Sequence, residues 1–298
     1  MEGRIEEQRS GAKAQVVNSL RHKYLLNSLL TLVKLPRSTF YDRLKRNYQP
    51  DKYQKLKGFI TKTFHESKET YGYRRIHFCA IKAGFKCSPM TVNKLMSELD
   101  LQVTVYSRHI RGYSSYKGDV GTVNDNLLKQ QFEATKPYTV IHTDITQVQL
   151  TNGQRGYISA VIDEASGEAI GVVVSNAANK QQLSDTLDLI QTKMPSNSHA
   201  IIHSDQGWQY QNRLYQLRIK AMGLIPSMSR KGNCHDNAPM ESFFNLMKRE
   251  CLNRQPIRDL ERLEKLVKEY MDWYNTKQIS LKHRGLTPIE YRKQELAV

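Results

Sequence analysis

Apolar positions change their period along this chain, and the changes mark out its organisation. Around Tyr24, Leu25, Leu26, Leu29, Leu30 and Val33 they recur at helical spacing until Leu35-Pro36-Arg37-Ser38 interrupts them, and a second short helix follows over Ser38–Arg46. Two helices joined by a tight break fit a helix-turn-helix, and an ordinary helical hairpin fits as well. Residues 51–105 repeat the theme with helices over Tyr53–Ser67, Tyr73–Ala83 (closed by Gly84) and Ser88–Leu99, where Ser88 suits an N-cap and Pro89 the first turn.

From Tyr138 the period becomes two. Val140, His142, Asp144, Thr146 and Val148 fall on one side of a strand, and Ile141, Thr143, Ile145 and Gln147 on the other. Asn152-Gly153 supplies a hairpin turn, Gly156–Ile162 a second strand and Ala169–Val174 a third, in an antiparallel meander. Helical patterns at Lys180–Thr192, Asn212–Met222 and Pro239–Cys251 then alternate with short strands at Ala200–His203 and Leu224–Met228. The order βββαβαβα predicts an α/β architecture, a mixed sheet with helices on its faces. A charged amphipathic helix, Asp259–Trp273, and a polar tail containing Thr287-Pro288-Ile289-Glu290-Tyr291 complete the chain. The expected regions are 1–50, helix-turn-helix-like; 51–105, a second helix-turn-helix module; 106–135, a Gly/Ser-rich basic linker; 136–251, the α/β core; and 252–298, a helical tail.

Charge narrows the partners. The net charge is +16 over 298 residues, and it is concentrated. Residues 1–118 hold 23 Lys and Arg against 9 Asp and Glu, residues 119–250 hold 12 against 13, and residues 251–298 hold 10 against 7. A basic front on a neutral core points to a polyanion, foremost nucleic acid. No apolar run approaches the length of a membrane span, and the N-terminus lacks a signal-peptide core, so a cytoplasmic protein is expected. Cys79, Cys87, Cys234 and Cys251 have neither disulfide-framework nor zinc-finger spacing.

Three carboxylates carry the candidate chemistry. Asp144 sits mid-strand, where an unpartnered charge is costly. Asp205 follows the short strand Ile201-Ile202-His203, at the strand end where such sheets place their ligand crevices. Glu241 lies in the first turn of the helix beginning near Pro239. Convergent carboxylates suit Mg²⁺, and two ions about 3.5–4 Å apart support in-line phosphoryl displacement. Lys248, seven residues beyond Glu241, and Asn245 between them share that helix face and are candidate DNA contacts, against the plainer reading of a solvated Glu–Lys pair. Arg74 and Arg75 open the middle helix of the second module and are further candidate DNA contacts, as are Arg230 and Lys231. Asp163 and Glu164 read as turn and solvent residues, Asp236 as a helix cap rather than a ligand, and His142 and His203 as packed histidines. Trp208, Tyr210, Tyr113 and Tyr116 read as core or surface anchors rather than base-stacking platforms.

The runs Ile141-His142-Thr143-Asp144-Ile145-Thr146 and His203-Ser204-Asp205-Gln206-Gly207 resemble the core blocks of insertion-sequence transposases of the IS-three type, second-reading-frame (OrfB) product. So, above all, does the block from Ser227 to Phe244 that carries Asp236-Asn237-Ala238-Pro239-Met240-Glu241. The 35 residues between Asp205 and Glu241 match that family's spacing, and Lys248 falls where it carries a basic residue. Tyr71-Gly72-Tyr73-Arg74-Arg75-Ile76 and Tyr274-Asn275 with Leu281–Arg292 resemble its flanking blocks. The resemblance implies an RNase H-like, retroviral-integrase-like core of the DDE group, with N-terminal helix-turn-helix modules. It implies that Asp144, Asp205 and Glu241 hold two Mg²⁺ or Mn²⁺ ions to free a 3′-OH at the element's end and transfer that strand. Its implied partners are the element's terminal repeats, target DNA, further copies of the chain on DNA and the first-frame product, within a bacterial nucleoid. The rival readings are a non-catalytic DNA-binding regulator and a nuclease of the same fold that cuts without joining.

Overall fold

The computed structural model describes residues 2–48, 50–104, 122–195, 198–230 and 234–296. The chain forms two compact units, Met1–Phe59 and Ile60–Val298. In the first, helices α1 (Glu2–Leu20), α2 (Leu26–Leu32) and α3 (Arg37–Tyr48) enclose a small core of Ala14, Val17, Leu29, Leu30, Leu35, Phe40 and Leu44. The predicted break is there: Lys34 adopts a positive φ of 50° and Leu35 is buried beside Phe40. Helix α4 (Gln54–Glu66) runs across the boundary between the units.

The second unit begins with α5 (Tyr73–Lys82) and α6 (Pro89–Glu98). Gly84 closes α5, and the Ser88 side chain accepts from Thr91 N to cap α6, with Pro89 in its first turn. A five-stranded sheet follows: β1 (Val140–Gln149), β2 (Arg155–Asp163), β3 (Ala169–Ser175), β4 (Ile201–Ser204) and β5 (Ile225–Met228), in the order β3-β2-β1-β4-β5. β1, β2 and β3 pair antiparallel, whereas β4 and β5 continue from β1 in parallel. This is the mixed sheet that the order of periods implied.

The two faces of the sheet differ. Ile141, Val161, Ile170 and Ile202 pack on Leu183, Leu187 and Ile190 of α7 (Lys180–Lys193) and on Tyr210, Tyr215 and Ile219 of α8 (Trp208–Gln211) and α9 (Arg213–Ala221). The alternation in β1 turns His142 the other way. On that side lie a 3₁₀ turn (Cys234–Asn237) and α10 (Ala238–Glu250), which buries Met240, Phe243, Phe244 and Met247. Helix α11 (Leu260–Thr276) buries Leu263, Leu266, Val267 and Tyr270. At the edge strand its Asn275 side chain stands in for a missing neighbour, accepting from Ala169 N at 2.9 Å and donating to Ala169 O at 2.8 Å.

Two segments differ from the sequence expectation. Within the expected helical tail, the polar stretch after the long helix forms a helix of its own: α12 (Pro288–Gln294) starts from a capping box in which Thr287 and Glu290 bond each other's backbone N–H, a Thr-Pro-x-Glu signal that reads as a helix start. The second half of the expected linker lies against the core, with Leu128 buried, Leu127 N donating to Ser227 Oγ at 3.0 Å and Ala134 N to Glu164 Oε1 at 2.9 Å. Residues 105–121, with Tyr113 and Tyr116, lie outside the described residues.

Candidate active site

The parallel pairing of β1 with β4 sets Val140, Ile141 and His142 opposite Ile201, Ile202 and His203. The pairing ends there; Asp144 lies two residues further along β1 and Asp205 directly follows β4, near enough for the Asp205 charge to act on Asp144. Each accepts one backbone hydrogen bond: Asp144 Oδ1 from Ile145 N and Asp205 Oδ1 from Gly207 N, both at 2.8 Å. Gly207 eases that approach, since a Cβ there would lie 2.9 Å from Asp205 Oδ1 and 2.7 Å from Gln209 Oε1, so those side chains would have to shift. Burial and then the Asp205 charge push Asp144 well above the ordinary carboxylate range, with Glu241 adding to the rise; burial also raises Asp205.

Glu241 stands exposed in the first turn of α10, and Asn245 is exposed one turn on. Lys248, a further turn along, reaches back to β1, donating from Nζ to Thr146 Oγ1 at 2.5 Å. Burial depresses the Lys248 ammonium and Asp144 partly restores it. Asp144 and Asp205 are therefore brought together, with Glu241 and Lys248 acting on Asp144 from one helix. Among the described residues, no group of three or more His, Cys, Asp and Glu side chains closes around one cation position. The donors that do converge among the described residues are carboxylate oxygens, and the Asp205 and Glu241 charges both disfavour ionisation of Asp144. That chemistry fits a hard divalent cation, whose charge would reverse the upward shifts.

Next to this pair lies a polar network that the sequence reading did not assemble. Asp236, fully buried, does not cap α10; its N-cap is Asn237, which makes no side-chain cap bond. Instead the Asp236 carboxylate accepts from Arg230 N (2.8 Å), Nε and Nη2 (both 2.9 Å), from Asn126 Nδ2 (2.9 Å) and from Gln130 Nε2 (2.7 Å). These donors hold it below the usual carboxylate range, Arg230 foremost. His142 lies between Asn237 Oδ1 (2.9 Å) and Glu164 Oε2 (2.7 Å), and His203 between Ser227 Oγ (2.9 Å) and Ser229 Oγ (3.1 Å). Both histidines are packed. Asp163 keeps its expected turn role, accepting from Ser166 N and Oγ, but it and Glu164 are buried rather than solvated. No local periodicity marks such a network, because its members come from segments about a hundred residues apart.

The remaining candidates separate. Arg74 is exposed, with its guanidinium beside the Tyr73 ring. Arg75 turns inward to Glu250, and Arg230 contacts Asp236 while remaining mostly exposed. Tyr210 is a core residue and Trp208 is half-buried. Lys231 lies outside the described residues. Cys79, Cys87 and Cys251 are free thiols. No helix among the described residues is long and apolar enough to cross a membrane.

Residues 134–234 and 241–296 match two Integrase core domain families, and residues 51–109 match an HTH-like domain. The transposase InsK for insertion sequence element IS150 of Escherichia coli strain K12 is 40% identical over 280 residues, spanning 94% of this chain and 98% of the relative. The transposase InsF for insertion sequence IS3A of the same strain is 28% identical over 282 residues, spanning 92% and 96%. Among solved structures, a chain of the simian T-cell lymphotropic virus intasome in complex with PP2A regulatory subunit B56 gamma aligns with a TM-score of 0.46 at 12% identity, covering 79% of this chain and 76% of that one.

Proposed function

The chain belongs to the insertion-sequence transposases with an integrase core domain, and from that membership we propose that it frees a 3′-OH at the element's end and joins it to a second DNA by a DDE two-metal mechanism. The observation that carries this reading is the Asp144–Asp205 pair, one on β1 and the other directly after the parallel strand β4, each with one backbone donor and each shifted upward. Asp144, Asp205 and Glu241 would hold two Mg²⁺ or Mn²⁺ ions. When bound, these supply activation of the attacking oxygen and charge stabilisation of the leaving one.

The chain's own residues do the rest. Glu241 sits on a rigid helix whose start is fixed through Asn237 and Asp236, so its approach to the aspartates is a rigid-body property of α10. Lys248, released from Thr146, can take a phosphate oxygen beside Asp144, and Asn245 lines the same helix face. In the first step water attacks the phosphodiester at the element's end; the P–O3′ bond breaks and leaves a 3′-OH. In the second that hydroxyl attacks another phosphodiester, forming one P–O bond as one breaks, so no external energy source is needed. The helix-turn-helix module at 51–105 would hold DNA, and synapsis of two ends would use more than one copy of the chain.

The test is a plasmid carrying the gene between its own flanking ends, scored for abutted-end junctions by amplification across them. Junctions from the wild type and none from Glu241→Gln are expected. Junctions from both would remove Glu241 from the mechanism, and cut but unjoined ends would leave a nuclease.

A further inference from the structure

Arg74 and Arg75 stand side by side at the start of α5, and about 100° of helix rotation sends them to different surroundings. Arg74 faces solvent. Arg75 places Nη1 3.5 Å from Glu250 Oε1, with its guanidinium 5.3 Å from the centre of the Tyr71 ring. The Glu250 side chain is 4% exposed and also accepts from Tyr270 OH at 2.9 Å and from Gln278 Nε2 at 3.0 Å. Tyr71, equally buried, donates to Lys277 O at 3.0 Å and accepts from Ile279 N at 2.8 Å. One turn along α5, the Phe78 ring lies so close to Gly285 that a Cβ there would fall 1.8 Å from it. A side chain at position 285 would therefore push α5 away.

This side of α5 is spent inside the protein, and what it grips is the last residue of α10. Glu241 is in the first turn of that same helix. Nine residues of α-helix span about 13.5 Å and bend little, so the position of α5 fixes one end of the element that presents Glu241. We propose that Arg75, Tyr71 and Glu250 form the joint that aligns DNA held by the helix-turn-helix module with the aspartate pair. Arg75 is then a positioning residue, and the module meets DNA with side chains turned to solvent, Arg74 among them. The inference rests on the strand-transfer reading for its functional half and on packing alone for its placement of Arg75.

The experiment uses the full chain and a labelled duplex spanning the element end that flanks the gene. Binding is measured over a series of salt concentrations, and cuts in Mg²⁺ are mapped to the nucleotide. Arg74→Ala should weaken binding and lower the salt slope by about one, with the cut in place. Arg75→Met, and the double variant Arg75→Met/Glu250→Gln that leaves no buried charge unpaired, should keep the wild-type slope. Their cuts should spread to neighbouring phosphates and slow by about 10- to 100-fold, scatter that mere loss of stability would not produce. A lowered slope for Arg75→Met would put Arg75 on DNA and overturn the proposal, as would wild-type cutting by the double variant at the single wild-type position. Failure of the wild type to cut would refute strand transfer instead, and the salt slopes would still decide where Arg75 points.

Discussion

Asp236 and the Asp144–Asp205 pair belong to one folded unit, and their surroundings are opposite. Asp236 is completed: five donors from Arg230, Asn126 and Gln130 surround it. Glu250, Asp163 and Glu168 are likewise matched, by Tyr270, Gln278 and Arg75, by Ser166 and Tyr138, and by Arg292. Asp144 and Asp205 each receive one backbone N–H and repel one another. The fold therefore supplies donors to these structural carboxylates and withholds them from Asp144 and Asp205, each of which has one. Incompleteness there is a stored cost that a cation would relieve.

The sharpest way to break this contrast is to neutralise one carboxylate of each kind. Asp144→Asn should remove several kcal/mol of transition-state stabilisation, a loss of about 10³-fold or more in strand cleavage. In divalent-free buffer the same variant should melt above the wild type, because a repulsion has gone. Thermal unfolding with and without Mg²⁺ measures both halves: a wild type that melts no lower than Asp144→Asn in the absence of metal would show that the pair carries no strain.

Asp236→Asn should do the reverse. It weakens charge-assisted bonds around a buried hub, at a cost of about 2 kcal/mol, or roughly 4–8 °C for a unit of this size. The sign with pH follows from the donors: Asp236 titrates lower in the folded chain than in the unfolded one, so its contribution is present above the ordinary carboxylate pKa and is lost on acidification. Unfolding curves that coincide with the wild type near neutral pH would mean that the hub is decorative.

The contrast also explains what the sequence made legible. The period-two run from Val140 to Val148 places Asp144 on a strand, and the short run Ile201–His203 places Asp205 at a strand's end, so both positions follow from local patterns, whereas the pairing that brings the two strands together does not. The Tyr71–Ile76 and Asp236–Glu241 blocks are equally visible as strings, yet their partners are not. Arg75 meets Glu250, 175 positions away, and Asp236 meets Asn126 and Gln130, just over a hundred away. Basic residues look alike in a sequence whether they face DNA or a buried carboxylate, and only the fold separates Arg74 from Arg75. Short elements were lost for a different reason: α8 has four residues and too little pattern to reveal a period.

The effect that is smallest at neutral pH tests whether an unpartnered polar group always marks a site. His283 is buried, with Nδ1 lacking a hydrogen-bond partner, and its ring stacks on Tyr291 at 4.3 Å. Burial, followed by the Lys282 charge, lowers its pKa to about 4, so the group avoids the cost of a lone buried charge by staying neutral, which neither Asp144 nor Asp205 can do once a cation is bound. As pH falls below about 6.5 the unfolded chain takes up this proton first, and stability should decline from there down to about 4, where the folded chain follows. The slope from this one residue is at most about 1.4 kcal/mol per pH unit. His283→Phe keeps the stack on Tyr291 and removes the titration, so unfolding free energies measured across this window should lose that part of their slope. An unchanged slope would assign the acid sensitivity to other groups, and a loss of strand cleavage with it would give His283 a part in the chemistry that its neutral, enclosed setting argues against.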